Sequence, residues 1–190
     1  TYGELAEEIA HAYLKLRYRL MPYIYSQAVL SSQTGLPMVR PMVLEFQEDP
    51  TTWWIDQQYL FGESFLVAPV LRRDNRCQVY LPQGQWVNLW TKSVQCGGCW
   101  VEVEAPLDQM PLWVRAGAII PFGPNQTYVD EKPLDPLTLE IYVPQDHGHA
   151  VIYDEDHPSI PVRYWRDAQA FHVEVGACPG QVDIVLFEIA

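Results

Sequence analysis

Cys96-Gly-Gly-Cys99 has the spacing of one half of a zinc knuckle or of a redox pair. It lies in a glycine-rich connection and not ahead of a helix whose N-terminus would lower a thiol pKa, so the same spacing also reads as turn cysteines or an incidental disulfide. The remaining cysteines, Cys77 and Cys178, complete no framework of the kind found in small secreted domains. The run Asp154-Glu155-Asp156, followed by His157, offers oxygen ligands to a divalent cation and reads equally as a solvated turn. His147 and His149, separated by Gly148, lack a third ligand at useful spacing. None of these groups completes a metal site, and neither a metal nor a cofactor is expected.

The elements that must carry such residues change character along the chain. Leu5, Ile9, Ala12, Leu16, Leu20, Ile24 and Ala28 recur every three to four residues, which predicts a helix over residues 4–31 with one face buried, kinked or interrupted by Pro22. Gly35 stops it, and Pro37 to Phe46 reads as a short buried strand with incomplete hydrogen bonding, because it contains two prolines. Asp49-Pro50-Thr51 reads as a helix start, and Phe65 to Leu71 as a further strand. From about residue 72 helical periodicity gives way to short aromatic or β-branched strands between Gly/Pro turns. The predicted strands are 78–81, 86–89, 100–103, 112–120, 137–143, 150–153, 162–165, 171–175 and 182–188. The polar stretch between Phe122 and Pro136 reads as a linker, so a mainly β chain is expected, with two antiparallel β-sandwich-like modules after one α/β segment.

Composition narrows the function classes. The 190 residues are 48% hydrophobic and 19% charged, too apolar for a disordered tail. Twelve basic against 24 acidic residues leave a net charge of -12 with no basic patch, which disfavours nucleic acid and anionic membrane surfaces as partners. No apolar run reaches the length of a spanning helix. The chain lacks an initiating methionine and opens on a helical pattern, so it is expected to be a piece of a longer protein. An α/β segment of about 70 residues would by itself leave a sheet edge and an aromatic-rich helix face uncovered.

Several ordered stretches resemble glycoside hydrolase family 31, which contains α-glucosidases and α-xylosidases. They are Arg17-Tyr18-Arg19-Leu20-Met21-Pro22-Tyr23-Ile24-Tyr25, Gly35-Leu36-Pro37-Met38-Val39-Arg40-Pro41, Leu44-Glu45-Phe46 with Asp49, Asp56-Gln57-Gln58-Tyr59 to Gly62, and Leu66-Val67-Ala68-Pro69-Val70. Val79 to Trp86 and Val114-Arg115-Ala116-Gly117-Ala118-Ile119-Ile120-Pro121 continue the likeness. The acidic turn after Tyr153 resembles one in the family's distal β domain, with His157 where the family has glycine. The resemblance implies that residues 1–71 are the last helix-strand-helix part of a catalytic (β/α)8 barrel, 72–125 a proximal β domain and 126–190 a distal β domain. It also implies a retaining, exo-acting parent enzyme, an α-xylosidase or α-glucosidase needing no cofactor. The Leu36-Pro37-Met38 and Asn88-Leu89-Trp90 stretches are closer to bacterial α-xylosidase-like members, which favours a cytoplasmic parent.

Retention requires two carboxyl groups about 5 to 5.5 Å apart across the bond being cleaved. The family's two aspartates belong to motifs with no match here, so no catalytic residue is assigned within the chain and the isolated chain is expected to be inactive. Glu45 and Asp49 follow the stretch read as the last barrel strand, where barrel enzymes build their sites, and are the best local candidates for supporting one. The alternative is that Glu45 pairs with a basic group and Asp49 starts the following helix. Arg40, flanked by apolar residues, reads as a buried partner for a carboxylate. Seven tryptophans suit both core packing and stacking on pyranose faces. Trp53 and Trp54 stand apart, because neighbours in a helix cannot both face one core. The partners implied are an α-linked oligosaccharide and the N-terminal barrel region of the same protein, with a homo-oligomer left open. The alternative function is a carbohydrate-binding or structural β module without catalysis.

Overall fold

The computed structural model describes residues 2–129, 131–143, 147–155 and 157–188. Helix α1 spans Glu4–Arg19 and α2 spans Met21–Thr34. The helix expected over residues 4–31 is thus interrupted at Leu20, and Pro22 falls in the first turn of α2, where its missing N–H leaves no intrahelical acceptor empty. The expected buried stripe is also split. No residue of α1 is buried, with Leu5 61% and Leu14 54% exposed, whereas α2 buries Pro22, Tyr23, Ser26 and Gln27.

The chain divides into two units. One comprises Leu30–Ala118 with Tyr142–Gln145 and Phe187–Ala190; the other comprises Thr1–Val29, Ile119–Ile141 and Asp146–Leu186. In the first, β1 (Val39–Pro41), β2 (Tyr59–Phe61), β3 (Phe65–Val67), β5 (Gln85–Asn88), β6 (Val94–Cys96) and β8 (Leu112–Arg115) form a six-stranded sheet in the order β1-β2-β3-β8-β5-β6. Its neighbouring strands pair antiparallel, with Arg40 opposite Leu60, Leu66 opposite Trp113 and Val87 opposite Val114. The sheet therefore joins three strands before residue 72 to three after it. A two-stranded ribbon, β4 (Arg76–Leu81) with β7 (Cys99–Glu104), completes the unit. Met42, Leu60, Leu66, Ala68, Val79, Leu81, Trp86 and Trp113 make its core, with Phe46, Ile55, Val101 and Val103 packed against it. Alternation along β7 follows from this, since Val101 and Val103 point inward and Trp100, Glu102 and Glu104 outward.

Two strand expectations are corrected here. Pro37 to Phe46 holds only the three-residue β1, and residues Met42–Glu45 form the one-turn helix α3. Pro41 has no N–H to continue the ladder, and the turn carries Met42 into the core at 0% exposure. The expected strand 112–120 is two strands, β8 and β9 (Ile119–Phe122), separated by a turn at Ala116–Gly117 and belonging to different sheets. The apolar run is continuous because both ends are buried, a pattern that periodicity alone cannot divide.

In the second unit β9 lies in a three-stranded sheet ordered β14-β10-β9, where β10 is Leu137–Val143 and β14 Val182–Glu188. β11 (His147–Ile152), β12 (Ile160–Arg166) and β13 (Phe171–Val175) form an antiparallel meander. Ile160, Val162 and Tyr164 alternate inward along β12 with Pro161, Arg163 and Trp165 outward, the signature of a sheet with one solvated face. Gly148 sits opposite Tyr164, and a Cβ there would meet the tyrosine ring at 2.4 Å.

Candidate functional site

Glu45 ends α3 and lies between two arginines. Its Oε2 accepts from Arg40 Nη1 at 3.1 Å, and its Oε1 accepts from Nη1 and Nη2 of Arg115, each at 3.3 Å. The Arg40 side chain is 5% exposed, and its Nε donates to the Pro37 carbonyl at 2.9 Å. The Arg115 guanidinium lies over the Phe46 ring at 5.1 Å and the Trp86 ring at 5.6 Å, and the two rings meet edge-on at 6.4 Å. Glu45 is the carboxylate partner expected for Arg40. The second cation, 70 residues away in β8, carries no local signal that links it to Glu45.

Asp49 caps the 3-10 helix Pro50–Trp54. Its Oδ1 accepts from the Thr51 backbone N–H at 3.0 Å and its Oδ2 from the Tyr80 hydroxyl at 2.6 Å. The Tyr80 hydrogen bond, outweighing partial burial and reinforced by Thr51, holds the Asp49 carboxyl below its ordinary value. Both carboxylates singled out in the sequence are thus committed to hydrogen bonds within the fold. Such contacts orient a loop and occupy the carboxylate oxygens, and they leave neither group as a free nucleophile.

The tryptophans divide sharply. Trp86 and Trp113 are buried, and Trp90 donates its indole N–H to Met110 O at 2.6 Å. Trp53 is half-exposed, with its indole N–H donating to Gln47 O at 2.9 Å. Trp54 is 87% exposed. It lines a groove of about 340 Å³ with Thr51, Asp56, Gln57, Gln78 and Trp100 among the other walls. Glu45, Asp49 and Trp53 do not line this groove; Trp100, missed as a candidate, does. Beneath it Gln58 is buried, its amide N donating to Tyr80 O at 2.7 Å and its amide O accepting from Tyr80 N at 2.8 Å.

The metal and redox readings find little to build on. The four thiols are free, and Cys99 Sγ donates to Cys96 O at 3.4 Å. A Cβ on Gly97 would stand 1.8 Å from Pro82 O, and Gly98 adopts φ 81°, so the spacing of the Cys-Gly-Gly-Cys run follows from a backbone corner. Burial pushes the Cys77 thiol up. His157 Nδ1 lies 2.7 Å from Asp154 Oδ2, while Asp156 is outside the described residues. Among the described residues no three His, Cys, Asp or Glu side chains gather as a metal site.

Residues 35–120, which contain the Arg40–Glu45–Arg115 cluster, the capped Asp49 and the groove, match the glycosyl hydrolase family 31 C-terminal domain. The chain belongs to glycoside hydrolase family 31, within its C-terminal region. It is 40% identical over 117 residues to the isomaltosyltransferase of Sporosarcina globispora, covering 61% of this chain and 11% of that protein. It is 36% identical over 152 residues to the α-xylosidase of Saccharolobus solfataricus, covering 79% and 21%. In structure it resembles the family 31 dextranase of Flavobacterium johnsoniae, solved with glucose, at a TM-score of 0.86 and 30% identity, covering 92% of this chain and 24% of the dextranase. This family 31 chain therefore spans only about a tenth to a quarter of the length of these relatives.

Proposed function

We propose that the chain is the C-terminal scaffold region of a retaining, exo-acting α-glycosidase, an α-xylosidase or α-glucosidase that hydrolyses O-glycosyl bonds. The observation that carries this reading is the commitment of both candidate carboxylates. Glu45 is shared by two arginines, and Asp49 is held by Tyr80 and the Thr51 backbone. Retaining hydrolysis needs one carboxylate free to attack and a second carboxyl that exchanges a proton. Both are assigned to a barrel region N-terminal to this chain. Only α1 and α2, which precede the matched residues 35–120, are assigned to that barrel, because β1–β3 pair antiparallel in the sheet that holds β8; the exposed apolar residues of α1 are the surface it would cover. In the whole enzyme Glu45, Asp49, Trp53 and Trp54 act as positioning residues for the loop that follows β1. Its substrate is an α-linked oligosaccharide or glycoside.

The test is a pair of assays. The purified chain should show no turnover of nitrophenyl α-xyloside or nitrophenyl α-glucoside, while a longer protein that includes the barrel should turn over at least one. Activity that follows the 190-residue chain through purification and vanishes on substituting Glu45 or Asp49 would reverse the assignment. In the longer protein Glu45→Gln should lower kcat more than it raises KM, the signature of a displaced active-site loop.

A further inference from the structure

We infer that the groove walled by Trp54 and Trp100 is a non-catalytic binding site for a short oligosaccharide of neutral pyranose units. Its walls come from three segments of one unit: the 3-10 helix and the residues after it, the Pro69–Arg72 stretch, and the outward face of the β4–β7 ribbon. Trp54 is 87% and Trp100 51% exposed, two large apolar side chains held in water beside one another's groove. Trp100 is held in place by Tyr80, its cross-strand neighbour, with ring centroids 5.3 Å apart. Tyr80 is in turn fixed by Asp49 and Gln58.

Between these indoles stand polar side chains without a use inside the fold. Asp56, Gln57 and Gln78 are exposed, line the groove, and make no side-chain hydrogen bond or ion pair among the described residues. Gln58, one residue on, is fully committed to the Tyr80 backbone, so the free amides are a property of this wall and not of the segment. Flat apolar faces flanked by planar amide and carboxylate groups suit a pyranose, whose axial C–H faces stack on indole and whose rim of hydroxyls both donates and accepts. The charges present favour a neutral ligand. Arg72 at the rim is already paired with Asp74 through bonds of 3.1 and 2.6 Å, which leaves Asp56 as the uncompensated charge in a chain of net charge -12. A groove of about 340 Å³ takes two or three sugar rings with part of each left in solvent.

The site shares Trp54 with the loop assigned above to the active site, yet binding in it needs no reaction and no residue upstream. Calorimetric titration of the 190-residue chain with isomaltotriose should give saturable, weak binding. Trp54→Ala should weaken it by about tenfold or abolish it. That side chain is too exposed for its loss to unfold the chain, and near-ultraviolet circular dichroism verifies this. Gln57→Ala should weaken binding less, and Trp165→Ala, which removes a partly exposed indole in the other unit, should leave it unchanged. Absence of saturable heat, or equal binding by the wild-type chain and Trp54→Ala, overturns the site. So does loss of binding in Trp165→Ala as large as that in Trp54→Ala. The turnover assays are separate, so either result leaves the scaffold reading to be judged on its own.

Discussion

In the unit built around the six-stranded sheet, the Arg40 side chain is 5% exposed and shares the Glu45 carboxylate, itself 22% exposed, with Arg115. In the unit that holds β11–β13, Arg163 and Glu174 pair across two strands with side chains 67% and 53% exposed. The contact geometries are similar, with Arg163 Nε–Glu174 Oε2 at 2.7 Å, yet their consequences differ. A cation removed from water cannot turn to solvent when its nearest carboxylate is lost, and the next one to Arg40, that of Glu63, lies 4.0 Å away. A cation on a solvated face exchanges the carboxylate for water at little cost. The first arrangement ties α3 to strands β1 and β8 and makes the fold around the candidate site depend on a few polar atoms, whereas the second decorates a surface.

The largest effect expected from this contrast is that of Glu45→Ala, which leaves the buried Arg40 only the more distant and more exposed Glu63, 4.0 Å away, and should cost about 3 kcal/mol in urea unfolding. A loss no greater than that of Arg163→Ala would remove the distinction between the two pairs. Gly148→Ala should follow at about 2 kcal/mol, because the new Cβ must displace the buried Tyr164 ring, which stacks on Phe171 at 5.4 Å. That variant asks whether the second unit, tolerant of charge loss on its face, is intolerant of added volume beneath it.

Asp49→Ala comes next, at about 1 kcal/mol, for the loss of a helix cap. Because the folded Asp49 carboxyl is held below its unfolded value, its contribution is fully present above the unfolded pKa and fades as the pH falls through the folded one. Stability measured from neutral to acidic pH should therefore fall less steeply in Asp49→Asn than in the wild-type chain, and an unchanged slope would mean that Tyr80 does not protect the carboxylate. Smallest of all, Arg163→Ala should leave the thermal midpoint unmoved within error at physiological salt, and a clear drop would place that pair with the buried one.

How much of this was legible in the sequence depends on how local each cause is. Strands β10, β13 and β14 coincide with the expected 137–143, 171–175 and 182–188, since alternation and flanking turns define them without reference to the rest of the chain. The short β2 and β6 were not anticipated. Each has three residues and exists because a neighbouring strand lies alongside, Tyr59 opposite Val67 and Val87 opposite Val94. Pro22 signals the interruption within residues 4–31, and its place at Leu20 follows because Pro22 suits the first turn of a new helix. The site shows the same limit. Arg40 and Glu45 are five residues apart and the pairing was readable, whereas Arg115 with Glu45, Tyr80 with Asp49, and Trp100 with Trp54 meet only through sheet topology.

Gln58 carries one more consequence. The ribbon β4–β7 has only two strands, and Tyr80, opposite Trp100, turns its backbone N–H and C=O toward the Gln58 carboxamide and away from β7. One side chain thus imitates a single link of a third strand and satisfies a donor and an acceptor that are buried out of reach of water. Gln58→Leu keeps the volume and leaves that N–H and C=O buried and unpaired. The expected symptom is a lower urea midpoint, and an unchanged one would show that the ribbon does not depend on this link.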